Sequence, residues 1–211
     1  MPKNLLPVAR EGFRYICCIV ILFVIFRILE LDFLSFLMIL ALGSTIYFFR
    51  NPEREVSNYA EGSVVSVVDG KVSNITELEN DKNFAYKIDI KTNYKDVSLL
   101  RVPFSSTVED ISIFNGTRVS NSSNLFHKLN EYGVIIFEDN NHNKIKVEHR
   151  LTRSLDNLHV NVIKSQNLLQ AQRYGFMLSG VTSIYLPSNF RLNISVGTEV
   201  VASKTLIGYF S

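Results

Sequence analysis

Two apolar runs separated by a charged interval open the chain. Tyr15–Phe26 is apolar throughout, with the adjacent Cys17 and Cys18 inside it. Arg27, Glu30 and Asp32 interrupt, and Phe33–Phe49 resumes with Gly43, Ser44 and Thr45 among its few weakly polar members. A bilayer span takes about 20 apolar residues, so the pair reads as an N-terminal α-helical membrane hairpin. Lys3, Arg10 and Arg14 precede the first run, and Arg50 and Arg54 follow the second, while Glu30 and Asp32 lie between. The positive-inside rule then puts both ends on the cytoplasmic side, with the short loop outside or only partly inserted.

Beyond the charged breaker Arg50-Asn51-Pro52-Glu53-Arg54 the period changes from helical to alternating. Strands are expected at Ser63–Val68, Lys71–Ile75, Tyr86–Lys91, Val97–Val102, Val108–Ile113, Gly133–Phe137, Lys144–Glu148, Leu158–Ile163, Ile184–Leu186, Leu192–Val196, Glu199–Ala202 and Thr205–Phe210. Asp69-Gly70 has the composition of a hairpin turn, and Asn115-Gly116 and Asn140–Asn143 mark further turns. Ser123–Asn130 and Asn167–Gln172 read as short helices. Arg173–Pro187 reads as a strand carrying a small-residue bulge at Ser179-Gly180. Short strands with turns every few residues point to a mainly β, compact β-sandwich or barrel-sandwich-type domain. The organisation is therefore residues 1–50, the hairpin, and residues 51–211, the β-rich domain.

Charge changes this picture little. Residues 1–50 hold five Lys/Arg against three Asp/Glu, and the remainder holds 17 of each. A neutral β-domain gives no electrostatic case for nucleic acid. The only two cysteines are neighbours in the apolar run, so no disulfide framework is expected; they pack in lipid or accept an acyl chain. The four histidines have no metal-ligand spacing.

Several short pieces then line up in order. Ile46–Arg54 reads IYFFRNPER, Val65–Val72 reads VSVVDGKV, Arg173–Gly175 reads RYG and Tyr185–Pro187 reads YLP. The tail Val196–Gly208 has the glycine and valine rhythm of folded-over barrel-sandwich strand pairs. Together with the hairpin, the chain resembles the phosphatidylserine decarboxylase family in its short, membrane-anchored form. That resemblance implies a protein of phosphatidylethanolamine biosynthesis at the cell inner membrane, with its β-domain on the cytoplasmic side and a phosphatidylserine-like phospholipid as ligand. It also implies a proenzyme that cuts itself at a Gly-Ser pair, leaving a pyruvoyl group as electron sink for loss of CO2.

Carried over residue by residue, the resemblance gives a mixed result. Asp69 matches the family's catalytic aspartate, and an ordinary Asp-Gly turn fits it equally. The position of the family's histidine falls on Ser98 in Asp96–Pro103, and a hydroxyl is no base near neutral pH. Asn130-Glu131 matches, with Tyr132 in place of an arginine, while Arg150–Asn157 replaces an arginine-rich family stretch. Between Arg173 and Pro187 this chain is one residue shorter than the family pattern, and neither register restores Gly-Ser. Ser179 is left as candidate nucleophile and pyruvoyl precursor, through cleavage at Leu178–Ser179. His149 and His159 are candidates for a relocated base; each reads more simply as a rim or solvent residue. Two functions follow: a divergent, self-processing decarboxylase, or a non-catalytic lipid-binding or scaffold relative, homo-oligomeric or paired with an active decarboxylase.

Overall fold

The computed structural model describes residues 6–54, 59, 62–79 and 83–211; Lys3 lies outside them. The chain divides into two compact units, Met1–Glu53 and Arg54–Ser211. In the first, α1 (Phe13–Ile28) and α2 (Asp32–Phe48) form an antiparallel pair. Tyr15 stacks near Phe49 with ring centroids 5.3 Å apart, and Asn51 donates to the Leu6 carbonyl. Glu30 turns the chain at φ 56°, and Arg27 pairs with Asp32 at the tip.

The expected membrane-spanning hairpin needs correction. Sixteen and seventeen residues rise about 24–25 Å at 1.5 Å each, short of a hydrocarbon core of about 30 Å. No helix among the described residues is long and apolar enough to cross a membrane. The helices are nonetheless apolar outward, with Ile28 75% and Phe33 73% exposed, and both cysteines are free and exposed.

The second unit is mainly β, built from three antiparallel sheets. Its strands are β1 (Ser63–Val65), β2 (Gly70–Glu77), β3 (Tyr86–Thr92), β4 (Leu99–Arg101), β5 (Ser106–Phe114), β6 (Tyr132–Glu138) and β7 (Lys144–Leu151). After these come β8 (His159–Val160), β9 (Asn167–Leu168), β10 (Arg173–Phe176), β11 (Gly180–Leu186), β12 (Phe190–Leu192), β13 (Glu199–Val200) and β14 (Leu206–Phe210). The largest sheet runs β13-β2-β3-β11-β7-β6-β5-β9; the smaller ones are β1-β14-β12 and β4-β10-β8. One short helix, α3 (Phe126–Leu129), lies in the β5–β6 connection. Alternation does the work expected of it: Ile88 and Ile90 of β3, Ile145 and Val147 of β7 and Ile135 and Phe137 of β6 all enter one buried core.

Four local expectations fail. The strand expected at Leu192–Val196 is instead β12, Phe190–Leu192, and 193–196 lie outside any strand. Asp69-Gly70 is not a hairpin turn, because β1 pairs with β14 while β2 pairs with β3. Val64, Val65, Val67 and Val68 are all buried, so the segment before Asp69 is covered on both sides as it passes between sheets. Asn167–Gln172 is not helical. It holds β9 and a turn in which Leu169 N–H donates to the Gln172 side chain and Ala171 takes φ 65°. Arg173–Pro187 is two strands, β10 and β11, which belong to different sheets.

Candidate functional site

Met177-Leu178-Ser179 makes the corner between β10 and β11, and all three side chains are buried. Both flanks are pinned. Phe176 pairs with Leu99 on one side and His159 on the other, and Gly180 sits between Thr92 and Leu151. Inside the corner, Met177 N–H donates to the Ser98 carbonyl at 2.8 Å, and Thr152 N–H donates to the Ser179 carbonyl at 3.1 Å. A corner has no continuous ladder, so these loop bonds satisfy its backbone.

Thr92 connects Asp69 and Ser179, while Ser98 meets the corner separately, through its carbonyl and Met177 N–H. Ser179 Oγ lies 3.5 Å from the Thr92 carbonyl oxygen, and Thr92 Oγ1 donates to the Asp69 backbone carbonyl at 2.7 Å. Thr92, Ser98, Thr152, Ser154, Asp156 and Ser179 are all buried. A concentration of buried polar groups in an otherwise apolar core marks a site that packing alone does not require.

The chemistry these groups offer is limited. Both oxygens of Asp69 face Arg54, at 2.5 and 2.6 Å, and Oδ1 also accepts the Ala202 N–H at 2.8 Å. Arg54 in turn donates to the Ala202 carbonyl at 3.0 Å. This charge-assisted, bidentate geometry ties the start of the unit to its C-terminal tail. Among the described residues, no ionisable side chain hydrogen-bonds Ser179 Oγ. A serine hydroxyl without a base is a weak nucleophile.

Neither candidate histidine fills the gap. His149, expected at a rim, is fully buried in β7. Its Nδ1 contacts Thr182 Oγ1 at 2.8 Å and its Nε2 contacts the Tyr174 hydroxyl at 2.5 Å. Burial lowers its pKa to about 3 and raises that of Tyr174, so a neutral imidazole and a neutral phenol share the core. His159 is partly exposed, as expected of a rim residue, and leans on buried Asp156 at 3.2 Å. Directly paired residues share a sheet face, so His159 shares the face of Phe176 and Leu99. Ser98 precedes β4 and is buried. His127 is exposed, and His142 occupies the β6–β7 turn against Glu138.

The position after Ser179 is closed as well. A Cβ at Gly180 would meet the Arg150 carbonyl oxygen at 2.5 Å and Met177 Sδ at 2.6 Å. That slot admits glycine and rejects a serine. The pyruvoyl group implied by the resemblance needs an activated serine behind a scissile bond. These residues supply the serine but neither the activating base nor room at the neighbouring position, so they do not fit that group.

Sequence reasoning missed two contributors. Arg54 was visible only as boundary charge. Thr92 carried no signal. Asn130, matched in the sequence together with Glu131, is a hub, donating to the Val119 and Leu151 carbonyls at 2.8 and 2.7 Å. The guanidinium absent at Tyr132 is present next door: Arg150, its direct cross-strand partner, lies 4.1 Å over the Tyr132 ring.

Comparisons with known proteins point to one family. The family model described as phosphatidylserine decarboxylase matches residues 43–208. A protein of Desulfotalea psychrophila named phosphatidylserine decarboxylase proenzyme is 31% identical over 211 residues, covering 96% of each chain. A protein of the same name from Wolbachia pipientis wMel is 31% identical over 76% of this chain and 73% of its own. One from Syntrophus aciditrophicus is 27% identical over 96% of this chain and 97% of its own.

Proposed function

The chain belongs to the phosphatidylserine decarboxylase family, and from that premise we propose that it is a membrane-associated member that stays intact and serves as a lipid-binding or scaffold protein of aminophospholipid metabolism. The closed corner carries this reading. Ser179 faces a backbone carbonyl, Asp69 is engaged by Arg54, and Gly180 has no space for a side chain. Self-cleavage needs a proton acceptor for the serine, and none stands beside it.

The exposed apolar surfaces of α1 and α2 support attachment to a bilayer without crossing it. Such a surface in water is an interaction site. We place this attachment at the inner membrane, with the β-domain on the cytoplasmic side, where the flanking arginines can meet anionic headgroups. The three sheets around one core fit a barrel-sandwich arrangement. Pairing with an active decarboxylase gives such a chain a role that needs no chemistry of its own.

Intact mass spectrometry of the purified full chain tests the proposal. One species at the full 24.0 kDa is expected, with nothing trapped by borohydride. A fragment spanning 179–211 would overturn it. The second reading, cleavage at Leu178–Ser179, has in its favour that Thr92 holds the Asp69 backbone near the Ser179 hydroxyl. The same spectrum distinguishes the two.

A further inference from the structure

The loop from Thr152 to Leu158 has an inverted pattern. Ser154 and Asp156 point inward and are buried, while Arg153, Leu155 and Asn157 point outward. Leu155 is 72% exposed. In a soluble loop the polar residues face water; here the chain places an apolar side chain at the outermost position and hides a carboxylate beneath it.

This display is rigid. Tyr94 Oη donates to the Arg153 carbonyl at 2.6 Å and accepts from Leu155 N–H at 3.0 Å. Ser154 Oγ donates to the Asp156 carbonyl at 2.6 Å, and Arg118 donates to the Ser154 carbonyl at 3.1 Å. Asp156 takes the Asn157 N–H at 2.8 Å and His159 at 3.2 Å. Arg153 adopts φ 44°, a left-handed conformation that a non-glycine residue holds only when its surroundings enforce it. Fixed from below, Leu155 keeps its outward position.

The neighbouring turn adds to the same surface. Asn121 N–H donates to Thr152 Oγ1, and Arg153 N–H donates to the Arg118 carbonyl. Leu125, on that turn, is 49% exposed. Charge completes the pattern. Arg153 is exposed and enters no ion pair among the described residues, whereas the loop's acid, Asp156, is buried against His159. An outward leucine beside an outward arginine, with the acid turned in, is complementary to an anionic phospholipid surface: acyl chains for the leucines, phosphates for the guanidinium.

We propose that this loop, with Leu155 at its tip and Arg153 beside it, is a second membrane-docking element that seats the β-domain on an anionic phospholipid bilayer. The proposal rests on the membrane reading above and specifies it. Because Thr152 N–H donates to the Ser179 carbonyl, docking here sets the loop next to the 177–179 corner, whose residues stay buried.

The test uses the full chain with Cys17→Ser and Cys18→Ser, carrying a solvatochromic label at Leu155→Cys. A matched label at Asn141→Cys, in the β6–β7 turn at the opposite end of β7, is the control. On vesicles of phosphatidylcholine with phosphatidylglycerol, the label at 155 is expected to shift to the blue and to be quenched by acyl-chain quenchers, while that at 141 does neither. Arg153→Glu should weaken vesicle affinity by about fivefold or more, as expected for losing one interfacial cation. If the protein is vesicle-bound and both labels stay aqueous, the docking loop is refuted and the hairpin attachment stands. Failure to bind vesicles at all overturns both. A concentration-dependent blue shift at 155 without vesicles reassigns the surface to self-association and overturns the proposal.

Discussion

Replacing Asp69 by asparagine keeps the shape of the side chain and removes its charge. In the fold this leaves the Arg54 guanidinium without its counter-ion. The two side chains are 9% and 13% exposed, so water can reach the orphaned cation only in part. Removing one partner of a buried pair costs about 3–5 kcal/mol, and residual exposure puts this pair at the lower end, about 3 kcal/mol. For a chain of this size that corresponds to about 6–12 °C in Tm. Asparagine still accepts from Ala202 N–H, so the loss reports the charge and not the turn. Thermal unfolding of the full chain in mild detergent, followed by β-sheet circular dichroism, measures it. The double variant Arg54→Met/Asp69→Leu should recover most of the loss, because a packed apolar pair has no desolvation penalty, and the cycle should return a coupling above about 1 kcal/mol. A single variant within about 0.5 kcal/mol of the parent, with no coupling to Arg54, would refute the reasoning. Asp69 would then be a carboxylate available for chemistry, and the intact-chain reading would lose its main support.

Ser203 has φ 67° and a buried hydroxyl without a hydrogen-bond partner among the described residues, so Ser203→Gly should raise stability by about 1–2 kcal/mol, read as a higher Tm. His149 titrates near 3 in the fold and near 6.5 when unfolded. The unfolded state therefore binds the extra proton between those values, and stability is full above about pH 6.5 and falls by about 1.4 kcal/mol per unit toward pH 3. Urea midpoints from pH 7 to 5 should show this slope, and His149→Gln should flatten it; equal slopes would exclude His149 as its source. Gly180→Ala should cost more than about 2 kcal/mol, because the new methyl meets the β7 backbone, whereas Ser179→Ala should stay within about 1 kcal/mol in the same denaturant series.

Strand existence was legible in the sequence wherever one face is buried and the other is not, as at Tyr86–Lys91 and Lys144–Glu148. Legibility failed where partners decide. Residues 173–187 keep an apolar, strand-like composition through the corner, and only the partner strands reveal that β10 and β11 lie in different sheets. His149 was readable in principle: it falls two positions after Val147 and four after Ile145, on the core face of β7, and the period assigns it inward. Asp69 was found as a residue but not as a role, since its partner Arg54 lies fifteen positions earlier in a segment with no periodic signal. The helix expected at Asn167–Gln172 failed because Ala171 adopts a left-handed turn and Gln172 satisfies the Leu169 backbone, alternatives to helix that long polar side chains offer.

The missing residue between Arg173 and Pro187 has a definite place in this fold. The registers on both sides are fixed: Phe176 by Leu99 and His159, and β11 from Gly180 onward by β3 and β7. A one-residue slip of β11 would turn Ile184 and Leu186 out of the core, so any length change must be absorbed at the corner. Inserting a serine after Gly180 would write Gly-Ser in step with both flanks. The inserted residue would then occupy the slot between Thr92 and Leu151, where a Cβ meets the Arg150 carbonyl oxygen at 2.5 Å. It must bulge or displace β7, and in neither case does its hydroxyl gain a base, since position 98 is a serine. We expect this insertion combined with Ser98→His to lower stability and to leave the chain uncut, as read by intact mass. A cleaved product would show that the corner yields more easily than its contacts imply, and that the barrier to processing lies in those two positions alone.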